Sequence, residues 1–540
     1  MFQIVAVDVL LQVSGTPLQI SAPQVTVTDD MPTGVNTCCV HNERAGGFLI
    51  PIEVKRMSIQ NPIQGVHVKR SSTVRMLGAI ACAMLLTAGA AACGSSTGGD
   101  SSGDGGTTTG VTDTTIKIGI GVSDLDGLRA AGMALAPALT TQNLSKRLTS
   151  YFDAWNAAGG INGRKVEGVV LTWDPVKPAT GQKVCDDATI NNELFAFINA
   201  NGLGAKYIEC IVAAGVPSFF GDVAPQSAHD TGWLTSTKAP VEINAAAGIK
   251  AAIDSGRITK TAVVGILSGN GPEHIAATAT AKAALEANGN KVTVAQVNSL
   301  QGDPGIQNTE SAAAVNTFRA ANVTDVVSAL QFTAAGGFWD NVAGTKWNFT
   351  ILDVASSMCS AFGGKSLKAS AVGSVCFTSD GDSTTSDGKL RPETDFEKQC
   401  RATFDALVVN DFAGAKSYPG IPSGETRTLP DGMKVSSDYP PNECMFADVI
   451  KKGLEKAGKN LTRESFMKAV RSLGDLPYAL GSDGKGSQEP GKTYLALYVH
   501  ADKLTAAPVG TAKNANGTYN GCPVDIQCWV PVDAKWYLIK

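Results

Sequence analysis

From residue 115 onward, short apolar runs alternate with amphipathic stretches. Thr115 to Val122 (TIKIGIGV) is apolar and β-branched and predicts a strand. Residues 142–158 place Leu148, Tyr151, Phe152 and Trp155 at helical spacing and end in Ala-Ala-Gly-Gly, a helix stop. Val166–Trp173 predicts a strand, Gln182–Asn191 a helix, Leu194–Ile198 a strand, Ala205–Ala214 a helix and Val216–Phe220 a fourth strand. The alternation then repeats. Helices are predicted over 245–255, 275–288, 312–321 and 334–343, and strands over 261–267, 291–297, 325–330 and 349–354. A third section begins with a strand at 371–378. Helices follow at 392–409, 442–457 and 462–473, the last with Thr462 as N-cap, then strands at 494–499 and 536–539. Strands alternating with helices of this length imply βαβ units and parallel, twisted sheets.

The first 112 residues do not join this pattern. Lys69, Arg70 and Arg75 precede the apolar run Met76–Ala92, and Cys93 follows three alanines. A basic flank, a short apolar core and small residues before a cut describe a secretory signal; at 17 residues the run is marginal for a spanning helix. With Cys93 after the run, the segment resembles a bacterial lipoprotein signal, although Ala90 stands where that pattern has Leu. The resemblance implies that Cys93 is lipidated and becomes the new N-terminus; the alternative is an uncleaved signal anchor. Residues 94–112 are almost wholly Gly, Ser, Thr and Asp, a flexible tether. Residues 1–67 match nothing in this scheme and suggest a mis-assigned start, with synthesis from near Met57, Val68 or Val74; a real extension is the alternative.

Composition narrows the function. The chain has 540 residues, 43% hydrophobic and 17% charged, with 45 Lys and Arg against 49 Asp and Glu. Without a basic excess, a nucleic-acid role is not expected. The mature part keeps three His, at 229, 274 and 500, and no CxxC pair, so neither a metal nor a cofactor is expected. No GxSxG, HExxH or informative carboxylate pair is present, so no enzyme activity and no catalytic residue is expected. Eight cysteines remain after Cys93, and an even count in an exported chain suggests disulfides. Eight cysteines allow about 105 pairings. Pairing of neighbours is the simplest: Cys185 with Cys210, Cys359 with Cys376, Cys400 with Cys444 and Cys522 with Cys528.

Three features carry a family resemblance: the opening strand Ile116–Ile120 (IKIGI), the turn Ala157–Lys165 (AAGGINGRK) and the late helix pair within 442–473. With the lipoprotein signal and tether, they make the chain similar to the type I solute-binding proteins of ABC importers, in particular the branched-chain amino-acid (Leu/Ile/Val) group. Cys185 and Cys210 resemble that group's early disulfide. The resemblance spans about residues 113–500. It implies an α/β fold of two Rossmann-like lobes, each a parallel sheet flanked by helices, joined by a three-strand hinge. The segments would be 68–92 signal, 93–112 lipidated Cys and tether, 113–238 first lobe, 239–373 second lobe, 374–495 return to the first lobe and 496–540 completion of the second. It implies a monomer on the outer face of the cytoplasmic membrane that passes a small-molecule solute to permease subunits. A receptor that senses a ligand without transport is the alternative.

Open parallel sheets bind ligands beyond the carboxyl ends of their strands. That rule nominates Ser123, Asp124, Asn199, Asn201 and Asp222 in the first lobe, and Ser268, Asn270, Gln331 and Thr333 in the second. Hydroxyls and N–H groups there suit a carboxylate, and acids suit an ammonium; ordinary turn and cap roles are the alternative. Gly119 and Gly121 lack the third glycine of a dinucleotide fingerprint and read as strand-to-loop geometry. The amino-acid binders carry a Ser/Thr-rich stretch after the third strand, where this chain has Asn199–Gly204 (NANGLG). The solute therefore stays open among amino acids, amides, aromatic acids and other small polar compounds.

Overall fold

The computed structural model describes residues 12–13, 16–17, 108–130, 140–174, 177–200, 203–298, 304–329, 337–338, 340–342, 345, 350–353, 373–378, 395–407, 415–417, 426–428, 432, 434–436, 441–474, 498–505 and 528–538. Residues 1–101 and 102–540 form separate units. In the first, Gln12–Val13 pairs antiparallel with Thr16–Pro17; Cys93 and the apolar run lie outside the described residues.

The second unit holds two parallel sheets. The first is built from β1 (Thr115–Ser123), β2 (Lys165–Trp173), β3 (Ala196–Asn199), β4 (Ser218–Phe220) and β5 (Leu234–Ser236), in the order β2-β1-β3-β4-β5. The second has β6 (Val263–Ser268), β7 (Lys291–Gln296), β8 (Asp325–Ala329), β9 (Thr350–Asp353) and β10 (Val375–Thr378), in the order β7-β6-β8-β9-β10. Both sheets thus have the doubly wound order, with a switch point where successive connections leave in opposite directions. The chain is α/β with two lobes, as the alternation of its sequence implied.

Helices cover the sheets because their apolar positions form one stripe. α1 (Leu125–Ala130) is short. In α2 (Thr141–Ala157) Leu144, Leu148, Phe152 and Trp155 are buried at helical spacing, each contributing about 1.5–3 kcal/mol. Thr140 caps this helix by accepting the Asn143 N–H at 3.0 Å. Ile116, Ile118 and Ile120 of β1 share a core with α2 and with the late helices α10 (Pro441–Ala457) and α11 (Arg463–Val470). Thr462 caps α11 in a capping box with Ser465. The opposite face is covered by α3 (Pro178–Asp186), α4 (Ala205–Ala213) and α5 (Gln226–Asp230). In the second lobe α6 (Val241–Asp254) and α7 (Pro272–Ala287) bury an alanine-rich face on β6, β8, β9 and β10, and α8 (Pro304–Ala320) packs beside β7.

Several elements differ from the sequence reading. The helix expected at 182–191 starts at Pro178, with proline at its first turn, and ends in a wide turn over Asp187–Asn191. The helix expected at 312–321 also opens on a proline, Pro304. Val375–Thr378, expected to open the return to the first lobe, pairs parallel with β9 and belongs to the second sheet. That sheet is finished by two antiparallel strands longer than expected, β14 (Tyr498–Thr505) and β15 (Cys528–Leu538). Between β10 and β14 in sequence come α9 (Asp395–Leu407), the helix expected over 392–409, and a small sheet that the sequence did not announce, of β11 (Lys416–Ser417), β12 (Thr426–Thr428) and β13 (Lys434–Ser436).

Gly119 and Gly121 are not strand-to-loop residues; they lie inside β1, facing away from its isoleucines. A Cβ on Gly121 would sit 2.7 Å from the Phe197 ring and 2.8 Å from Asn199 Nδ2. Only glycine lets β3 bring those side chains over the strand.

Cys185–Cys210 and Cys400–Cys444 are disulfides, with Cα–Cα distances of 6.1 and 5.9 Å. The first ties α3 to α4 and the second α9 to α10. Cys376 is also disulfide-bonded, whereas Cys359 and Cys522 lie outside the described residues.

Candidate functional site

The switch point of the first sheet lies between β1 and β3, and that of the second between β6 and β8. Ser123, Asp124 and Asn199 stand at the first, Ser268 and Asn270 at the second, and Asp222 just beyond β4. Asn201, Gln331 and Thr333 lie outside the described residues.

Most of the described nominees hold the framework. Asp124 Oδ1 accepts the Gly127 N–H at 2.9 Å, capping α1, and its own N–H donates to Trp173 O at 2.7 Å. Asn199 is fully buried; its Nδ2 donates to Gly121 O at 3.2 Å and its Oδ1 accepts the Leu203 N–H at 2.9 Å. It thus locks the loop after β3 onto β1 and is a positioning residue. Ser268 is buried, donates to Gly269 O at 2.9 Å and accepts from Thr278 Oγ1 at 2.7 Å. Ser123 is buried and Asn270 exposed. Asp222 Oδ1 accepts the Val223 N–H at 2.8 Å, and its carbonyl accepts from Ser236 Oγ at 2.8 Å.

The loop after β4 is where the lobes touch. Val223 is buried in the apolar core of the second lobe with Val241 and Ala277. The Val241 N–H donates to Ala224 O at 2.9 Å, and the Gln226 N–H to the Glu242 carboxylate at 2.9 and 3.1 Å. The first crossover, 237–240, runs alongside: the Thr237 N–H donates to Phe220 O at 3.0 Å, while Thr237 Oγ1 is enclosed with no partner.

Glu273 and His274 stand outside the nominated set; the sequence weighed His274 only as a metal ligand. Glu273 lies in the first turn of α7, its side chain 12% exposed, and its Oε2 has no hydrogen-bond partner. Burial pushes its carboxyl up to about 7, with Asp222 and Glu209 of the other lobe adding to the rise. His274 is buried beside it, Nε2 3.8 Å from Glu273 Oε1, and burial lowers it to about 4. A Gly-Pro-Glu helix start was visible in the sequence; the burial of its Glu side chain was not. Among the described residues no group of three His, Cys, Asp or Glu is placed to hold a metal.

The far end of the first sheet is closed differently. Arg463 of α11 donates to Gly215 O and Leu194 O, and Arg471 to Leu234 O and, at 2.7 Å, Thr235 Oγ1. These contacts tie α11 to the amino ends of β3, β4 and β5.

No protein-family model and no curated protein matches the sequence. Solved structures do. The chain is similar to a fatty acid ABC transporter substrate-binding protein from Thermomonospora curvata at 16% identity and a TM-score of 0.51, covering 79% of this chain and 93% of that one. It is similar to a solute-binding protein of an ABC transporter from Rhodopseudomonas palustris BisB5, solved with 3,4-dihydroxybenzoic acid, at 13% identity and a TM-score of 0.51, covering 78% and 98%. With its two doubly wound sheets and the returning late helices, the chain has the fold of ABC-transporter substrate-binding proteins, the type I two-lobed architecture.

Proposed function

We propose that the chain is an exported solute-binding protein, held by a lipid on Cys93 to the outer face of the cytoplasmic membrane. It takes a small polar solute between its lobes, closes by hinge bending and delivers the solute to the permease of an ABC importer. It acts as a monomer, without cofactor and without chemistry on the solute. The observation that carries this reading is the pair of switch points, one per lobe, at the carboxyl ends of parallel strands. At the sheet's opposite end Arg463 and Arg471 tie α11 to the backbone. The two similar proteins are described with a fatty acid and with 3,4-dihydroxybenzoic acid, acids of unlike size, so the fold does not narrow the solute. Among the described residues no helix is long and apolar enough to cross a membrane.

A thermal-shift screen over amino acids, amides and aromatic acids tests this, with mass spectrometry of solute co-purified with the chain. One compound class raising the midpoint at micromolar concentration is expected. A flat response across all classes, with no co-purified solute, overturns the reading.

A further inference from the structure

We propose that the contact between the first turn of α7 and the loop after β4 is a proton-controlled latch. The Glu273 carboxyl, set against Asp222 and Glu209 of the first lobe, lets the lobes stay together when protonated and drives them apart when ionised.

The geometry is an interface and not a surface cluster. Val223, next to Asp222, is buried in the second lobe's core with Ala277 of α7, so the loop and the helix are packed together. α4, which carries Glu209, packs against α7 as well. Glu273 lies in the first turn of α7, its side chain 12% exposed, and its Oε2 is shut from solvent without a hydrogen-bond partner. An enclosed carboxylate oxygen with no donor is costly, whereas a protonated carboxyl can be neutral there.

The surrounding charges do not compensate. The loop brings Asp222 and α4 brings Glu209, both raising the Glu273 pKa. Lys206 of α4 lies over its own neighbour, the Tyr207 ring. α6, beside α7, brings Glu242, whose oxygens accept the Gln226 N–H. On α7 itself His274 is adjacent, but burial keeps it neutral down to about pH 4; Lys282 is paired with Glu286 at 2.9 Å. The strands under α7 carry charge at their opposite ends, Lys291 and Asp325.

The sign follows from linkage. An ordinary glutamate titrates near 4.5, and Glu273 is held near 7. Between these values the joined lobes bind a proton that separated lobes release. The contact is therefore strongest below the lower value, weakens as pH rises through the window and is flat above it. For a solute-binding protein this makes closure tighter on the acid side; that consequence rests on the solute-binding reading, whereas the latch does not need a solute.

The test uses the purified, solute-free full chain and small-angle scattering at about pH 5.5 and about pH 8.5. The wild type is expected to show a larger radius of gyration at the higher pH, and Glu273→Gln to show the compact value at both. Asp222→Asn, which removes one repelling charge and leaves the buried site intact, is expected to move the transition to higher pH. That variant keeps the test open if Glu273→Gln does not fold. A wild-type radius that is the same at both pH values overturns the latch, as does a transition unchanged in either variant. A solute screen that fails while the transition is present would count against the transport reading alone.

Discussion

The side chain of Asn162 donates to the carbonyl of Leu454 at 2.8 Å, across 292 residues of chain. Asn162 belongs to the AAGGINGRK turn and Leu454 to α10, two of the segments that carry the family resemblance. Arg164 of the same turn donates to Lys459 O at 3.0 Å, and Ile161 is buried in the shared core. The most distinctive motif of this sequence is therefore a structural joint. It fastens the late helices to the first lobe, and among the described residues it makes no hydrogen bond to a nominated ligand residue.

Asn162→Ala should cost roughly 1–3 kcal/mol, because it removes this bond and puts a Cβ-bearing residue without a polar side chain at φ 52°. Asn162→Gly relieves the backbone and should cost less. Urea unfolding of the two variants checks the order; equal losses would mean that the turn conformation contributes nothing.

Gly121→Ala should destabilise the first lobe by about 1–3 kcal/mol, since its Cβ meets Phe197 and Asn199 inside a packed sheet. Asn199→Ala leaves the Leu203 N–H without its acceptor and should cost about as much. The pair should be non-additive in a double-mutant cycle, as expected for groups in contact.

Reduction should lower stability in two steps of similar size. Cys185–Cys210 spans 25 residues and Cys400–Cys444 spans 44. Loop entropy gives each roughly 3–4 kcal/mol. Melting of Cys185→Ser with Cys210→Ser, and of the matching pair at 400 and 444, against wild type with and without reductant measures both. A reductant effect that survives in a variant lacking both bonds would assign the loss to the remaining cysteines, of which Cys376 is bonded.

His274 and Glu273 should oppose one another in the pH dependence of unfolding. The His274 pKa is lowered from 6.5 to about 4, so its contribution is full above 6.5 and lost as pH falls toward 4. The Glu273 contribution is full below 4.5 and lost as pH rises toward 7. Glu273→Gln should therefore steepen the acid-side loss, and His274→Gln should expose the loss toward neutral pH. Unfolding free energies from about pH 4 to 8 check the signs; both variants shifting the same way would contradict the pairing.

The sequence by itself determined the alternation of strands and helices, because amphipathic period and Gly or Pro punctuation are local. It also determined the N-cap at Thr462 and the order of β1 to β4 with the helices between them, though not α1, α5 or β5. It did not show that Val375–Thr378 joins the second sheet, that glycines 119 and 121 make room for Phe197 and Asn199, or that α7 meets the loop after β4. Those depend on which strand is neighbour to which, and pairing between distant segments leaves no local period to read. The nominated site divides in the same way. Strand ends were legible, but the hydrogen bonds by which Asn199 and Asp124 brace the backbone depend on partners elsewhere in the fold. The buried, unpartnered oxygen of Glu273 likewise follows from the tertiary packing of α7 and not from its local sequence.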